Sequence, residues 1–169
     1  MADIPAMDAL IRRSGIELSK GFYTDEQALA ITRHVFGVDT QLVQDQTYFV
    51  IERDGVLLAC GGWSKRATLF GGDQHKSGAD PLLDPATQPA RIRAFFVDPA
   101  VPRQGLGRML MEHCERESAQ AGFLAMELAA TMPGVPLYRA CGFNAIEDLK
   151  LALPGNITVA LTRMSKQIS

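Results

Sequence analysis

Residues 100–110, AVPRQGLGRML, constrain this chain more than any other stretch. Periodicity through Leu106, Leu110 and Cys114 predicts a helix from about Arg103 to Ala121, closed by Gly122. Yet Gly105 and Gly107 stand near its start, where each would cost a helix interior about 1 kcal/mol relative to alanine. Arg103 and Arg108 add positive charge at the end whose dipole is already positive. A bound anion accounts for both features. Glycine removes the Cβ atoms that keep a phosphate from the free N–H groups, and guanidinium groups supply matching donors. On spacing alone, a flexible turn before an ordinary surface helix stands beside that reading. A dinucleotide fingerprint needs a glycine where Leu110 stands, and GGDQHKSG lacks the Gly-Lys-Ser/Thr order of a P-loop.

The rest of the chain reads as a mixed fold. Met7, Leu10, Ile11 and Leu18 share one face of a helix over 6–19. Thr24 and Gln27 have capping-box spacing before a second helix that Gly37 can end. TYFVIERDGVLLACGGW gives two strands joined at Asp54-Gly55, a hairpin signal. Residues 65–90 have no sustained period and read as a long loop, a length that is often functional. RIRAFFV and FLAMELA are strands, GVPLYRAC is a short helix, and AIEDLKLAL-PGN-ITVALTRM is a closing hairpin. Consecutive hairpins predict an α+β domain over 1–169, with helices on a mostly antiparallel sheet.

Composition excludes several classes. A net charge of −2 over 169 residues offers no basic footprint for nucleic acid. Cys60, Cys114 and Cys141 are odd in number with no close pair, which predicts reduced thiols and a cytoplasmic protein. The first residues carry Asp3 and Asp8 and no apolar run, unlike a signal peptide. No run approaches the ~18 apolar residues of a membrane span. His34, His75 and His113 have no metal-ligand spacing, so no metal is expected.

VDPAVPRQGLGRML resembles motif A of the GNAT superfamily of N-acetyltransferases, in which a strand ending in V-x-P leads to (R/Q)-x-x-G-x-(G/A) and a long helix. PLYRACGF resembles that superfamily's later motif, a tyrosine-bearing helix closing on Gly-Phe. The similarity is good over roughly 91–165 and looser before it. It implies a GNAT-like twisted sheet with splayed middle strands, helices on both faces, and acetyl-CoA as co-substrate. The pyrophosphate would lie on the N–H groups of Arg103, Gln104, Gly105, Leu106, Gly107 and Arg108. The pantetheine arm would pair with the strand edge at Phe95, Phe96 and Val97. Three departures stand out. Pro102 occupies the motif's first Arg/Gln position, with the arginine one place later. Thr131 stands where the family often has asparagine. The family's usual first strand has no counterpart before the first helix.

Acetyl transfer to an amine needs a neutral amine, a polarised thioester carbonyl and a proton for the leaving thiolate. Neutralising a lysine-like amine at pH 7 costs roughly 4–5 kcal/mol. An N–H near Phe96 or Val97 would polarise the carbonyl. Tyr138, with a reference pKa of about 10, is the expected acid; packing on the sheet is its plain alternative. Glu127, the acid on the strand facing the wedge, is the candidate base, beside the alternative of a solvated strand position. His75 and Asp73 in the long loop would act through water or bind substrate. Trp63 would wall a pocket or belong to the core. These features describe an acetyl-CoA-dependent N-acetyltransferase for a small-molecule or peptide amine. The other class is a non-catalytic CoA-binding sensor or interaction module. An exposed sheet edge would also allow a homodimer.

Overall fold

Hairpins at both edges of the sheet and one open junction between them organise the fold. The computed structural model describes residues 2–169. Three helices come first: α1 Ile4–Glu17, α2 Asp25–His34 and α3 Thr40–Gln44. The strands β1 Tyr48–Arg53 and β2 Val56–Ser64 follow, turning at Asp54 and Gly55 with φ of 52° and 76°. This is the doubly left-handed conformation a two-residue hairpin turn requires. After the long loop come β3 Ala90–Val97, α4 Leu106–Gln120, β4 Ala125–Thr131 and α5 Val135–Ala140. The hairpin β5 Asn144–Leu153 and β6 Ile157–Gln167 closes the fold.

The six strands lie in the order β1-β2-β3-β4-β6-β5, all antiparallel except β3 beside β4. Among the described residues no strand precedes α1, so β1 is an edge. Alternation along the strands builds a core on each face. Tyr48 and Phe96 pack with Met7, Leu10 and Ile11 of α1, while Phe49, Phe95 and Val97 pack with Leu106 and Leu110 of α4. The α2 helix covers β6 through Ile31, Val159 and Leu161.

The α2 cap is the expected box: Gln27 N–H donates to Thr24 Oγ1, and Thr24 N–H donates to Gln27 Oε1. The helix expected from Arg103 begins instead at Leu106. Arg103 and Gly105 have φ of 58° and 77°, values a right-handed helix cannot accommodate.

The centre of the sheet is open. β3 and β4 pair only at Ala90↔Met126 and Arg91↔Glu127, then diverge. A bulge bends β3 where the opening starts: the step from Arg93 to Phe96 faces only Gly62 to Cys60 on β2, with Ala94 at a φ of 54°. Beyond Arg91 the β4-facing edge of β3 therefore has no strand partner.

Candidate active site

A cavity of about 280 Å³ occupies the opening between β3 and β4 and extends under the ends of α1 and α2. Phe95, Phe96 and Val97 line it from one side and Thr131 from the other, with Tyr138 of α5 closing that wall. The structure thus brings together five of the residues singled out from sequence. The Tyr138 ring meets Phe95 and Phe143 edge-on, at centroid distances of 6.4 and 6.1 Å. Burial, and secondarily Cys141, pushes its phenol above the usual value, so the hydroxyl keeps its proton.

The α4 N-terminus lies outside the cavity wall, next to the end of β3, where Leu106 packs with Val97. Its N-cap, Gly105, supplies no side-chain acceptor, so the first-turn amides keep free N–H groups. A Cβ on Gly105 would meet nothing within 4 Å, which leaves approach to those amides open. Asp98 shapes the preceding turn, accepting from Ala100 N–H at 2.9 Å and from Arg13 Nη2 at 2.8 Å. These contacts, the Ala100 N–H foremost, hold its carboxyl below the ordinary range.

Two members of the stretch do other work. The absent Cβ of Gly107 makes room for Leu137 of α5, whose Cδ2 would lie 2.7 Å from it. Arg108 donates to the Ala140 carbonyl at 3.2 Å, at the end of α5. Arg103 and Gln104 are exposed, and Arg53 at the end of β1 reaches Gln104 Oε1 at 3.4 Å. Arg53 is a further cation near this helix end that the sequence did not mark, because fifty residues of chain separate it from the motif.

Glu127 does not face the cavity. It is buried at the closed end of the wedge, with Arg91 Nη1 at 2.5 Å on one oxygen and Arg163 Nε on the other. Expected as a base, it is here a doubly paired carboxylate that joins β3, β4 and β6. Its oxygens are taken. Trp63 is core, buried and edge-on to Phe123. His75 also lies off the cavity wall, stacked on Phe70 at 5.2 Å, and burial lowers its pKa.

The long loop forms part of the cavity wall. Leu69 to Gly72 line the cavity, whereas Leu83 enters the core and Leu82 stays exposed. The span 73–80 is tied at several points. Asp73 Oδ1 accepts from Thr40 N–H at 3.0 Å, and Asp80 Oδ1 accepts from Thr68 N–H at 2.8 Å. Lys76 Nζ lies 2.6 Å from buried Asp39, whose other oxygen is 2.9 Å from Arg93 Nη2. Arg93 in turn donates to the carbonyls of Thr68 and Gly71. This buried network escaped the sequence because its members come from α3's cap, β3 and the loop.

The family model described as acetyltransferase (GNAT) family matches residues 14–143. The chain belongs to the GNAT acetyltransferase family. Its members are acetyltransferases, and an acyltransferase activity follows from that membership. Among solved structures, a GCN5-related N-acetyltransferase from Rhodopseudomonas palustris superposes with a TM-score of 0.70 at 15% identity, covering 99% of this chain and 91% of that one. The PaiA N-acetyltransferase from Thermoplasma acidophilum, in complex with coenzyme A, gives 0.64 at 14%, covering 98% and 93%. YncA from Salmonella typhimurium, a putative acetyltransferase with acetyl-CoA, gives 0.62 at 16%, covering 99% and 90%. No curated protein matches the chain in sequence. Among the described residues no group of three histidine, cysteine, aspartate or glutamate side chains is arranged to hold a metal, and no helix is long and apolar enough to cross a membrane.

Proposed function

We propose that this GNAT protein moves an acetyl group from acetyl-CoA to a primary amine of a small molecule or peptide. The observation that carries the reading is the unpaired β3 edge, which runs from the cavity toward the uncapped N-terminus of α4. An extended pantetheine chain pairs with such an edge as an added strand would. A pyrophosphate suits free amides at a helix N-terminus with Arg103, Arg108 and Arg53 near them. Thr131 offers a hydroxyl to the arm from the β4 side.

When bound, the co-substrate supplies the activated acetyl thioester. The Val97 N–H, on the unpaired edge, would polarise its carbonyl, and Tyr138 would hold a proton at Oη for the departing sulfur. Glu127 fastens strands in this scheme and takes no part in proton transfer. A non-catalytic CoA-binding module has one observation in its favour: no described residue on the cavity wall is an aspartate, glutamate or histidine. Tyr138 in the wall favours the enzyme. Following CoA release from acetyl-CoA with a panel of amines, amino acids, aminoglycosides and peptides separates the two. Amine-dependent release supports the transferase; tight CoA binding without release for every acceptor supports the module.

A further inference from the structure

Resting on the acetyl-transfer reading, we infer that the acceptor is an amine carried on an apolar, preferably aromatic, body and neutral when it binds. With the cofactor assigned to the β3–β4 wedge, the acceptor is left the part of the cavity under α1, α2 and the loop. Leu18, Ile31, Phe36, Phe70 and Leu161 line that part. Ser14 and Ser19 are, among the described residues, its only hydroxyl-bearing residues on the helix side. Among the described residues Arg93 is the one charged residue on the wall, and it is held by Asp39 at 2.9 Å with its side chain 1% exposed. The carboxylate nearest the mouth along the chain, Glu17, lies off the wall and is paired with Lys20 at 2.8 Å.

An ammonium entering here would lose its hydration and find no anion. Arg93 offers it nothing either, since that guanidinium is buried and already paired with Asp39. Desolvation without a partner is strongly unfavourable for a charged group, whereas an apolar ring gains by leaving water. The wall also offers no carboxylate or imidazole to remove a proton. An acceptor whose nitrogen is already neutral at pH 7 needs neither a counter-ion nor a base, and an arylamine has that property. An alkyl polyamine or an aminoglycoside does not.

The test is calorimetric titration of the CoA-loaded protein at pH 7 with aniline and with benzylamine, which share a ring and differ in charge. Aniline should bind at least tenfold more tightly. Leu18→Glu, at a mouth position 41% exposed where the fold tolerates a polar group, should strengthen benzylamine binding at least tenfold and weaken aniline. Benzylamine binding as tightly as aniline in the unaltered protein overturns the inference, as does CoA binding with no response to either amine. Failure to bind CoA at all overturns the acetyl-transfer reading itself, and this inference falls with it.

Discussion

Leu137 fills the space above Gly107: a Cβ on that glycine would lie 2.7 Å from Leu137 Cδ2. The two glycines of the α4 start therefore have separate duties. Gly107 is buried and lets α5, which carries Tyr138, sit close on α4. Gly105 is exposed, left-handed and unobstructed.

Gly107→Val should overpack this contact and lower stability by about 1–3 kcal/mol in denaturant unfolding. Leu137→Ala in the same chain should recover part of that loss. Gly105→Val should instead weaken CoA binding tenfold or more, about 1.4 kcal/mol, because a branched side chain would crowd the free amides. It also strains a left-handed residue, so affinity is read only where circular dichroism shows a folded protein. An unchanged dissociation constant in folded Gly105→Val would remove the pyrophosphate from this helix end.

Tyr138→Phe keeps the ring between Phe95 and Phe143 and removes one proton. Turnover should fall about 10²-fold with acetyl-CoA affinity unaltered. Burial raises the phenol above 10.0, so its acid form persists through neutral and mildly alkaline solution. Any loss of kcat from its ionisation should therefore appear only above pH 10. A kcat profile that falls between pH 8 and 9 in wild type and stays flat in the variant would contradict that shift. Wild-type turnover in the variant would leave the residue a packing role.

Glu127→Gln tests the strand fastener. Removing the charge leaves Arg91 and Arg163 facing each other beside a buried amide, and a broken buried pair costs about 3 kcal/mol. Thermal unfolding should register that loss. Turnover per folded molecule should change less than threefold. A 10²-fold fall in kcat at unaltered stability would return Glu127 to the chemistry.

Local signals were legible in the sequence, and long-range ones were not. The Thr24–Gln27 box and the Asp54-Gly55 turn each depend on a few adjacent residues, and both formed as their residue types dictate. The paired motifs at 97–110 and 136–143 implied, through the family they resemble, two splayed middle strands and attention to Phe95, Phe96, Val97, Thr131 and Tyr138, which line the cavity. The pairing of Glu127 was not legible because the arginine on its second oxygen arrives from β6, thirty-six residues later. The bend in β3 was hidden because Ala94, not a glycine, takes the left-handed conformation. The tie between the loop and the α3 cap was equally hidden, since Asp39 lies more than thirty residues upstream of Lys76 and nothing local announces the bond.

That bond gives a final prediction about the loop. Asp39 is wholly buried and has two cationic partners, Lys76 at 2.6 Å and Arg93 at 2.9 Å. The partners are not equivalent. Lys76→Met leaves Asp39 paired with Arg93, so the carboxylate stays compensated and the loop loses only one tether. Arg93→Met also removes the donors to Thr68 and Gly71 and leaves Lys76 to neutralise Asp39 alone. Arg93→Met should accordingly cost more stability, about 3–5 kcal/mol against about 1 for Lys76→Met. Because Leu69 to Gly72 line the cavity on the side proposed for the acceptor, loosening them should raise the acceptor KM in both variants. The acetyl-CoA dissociation constant should hold, since its proposed contacts lie on β3's end and α4. Replacing 71–80 with a short Gly-Ser linker should raise acceptor KM further or change acceptor choice, again with acetyl-CoA binding intact. Unaltered acceptor kinetics in the linker variant would move the acceptor site onto α1 and α2 alone.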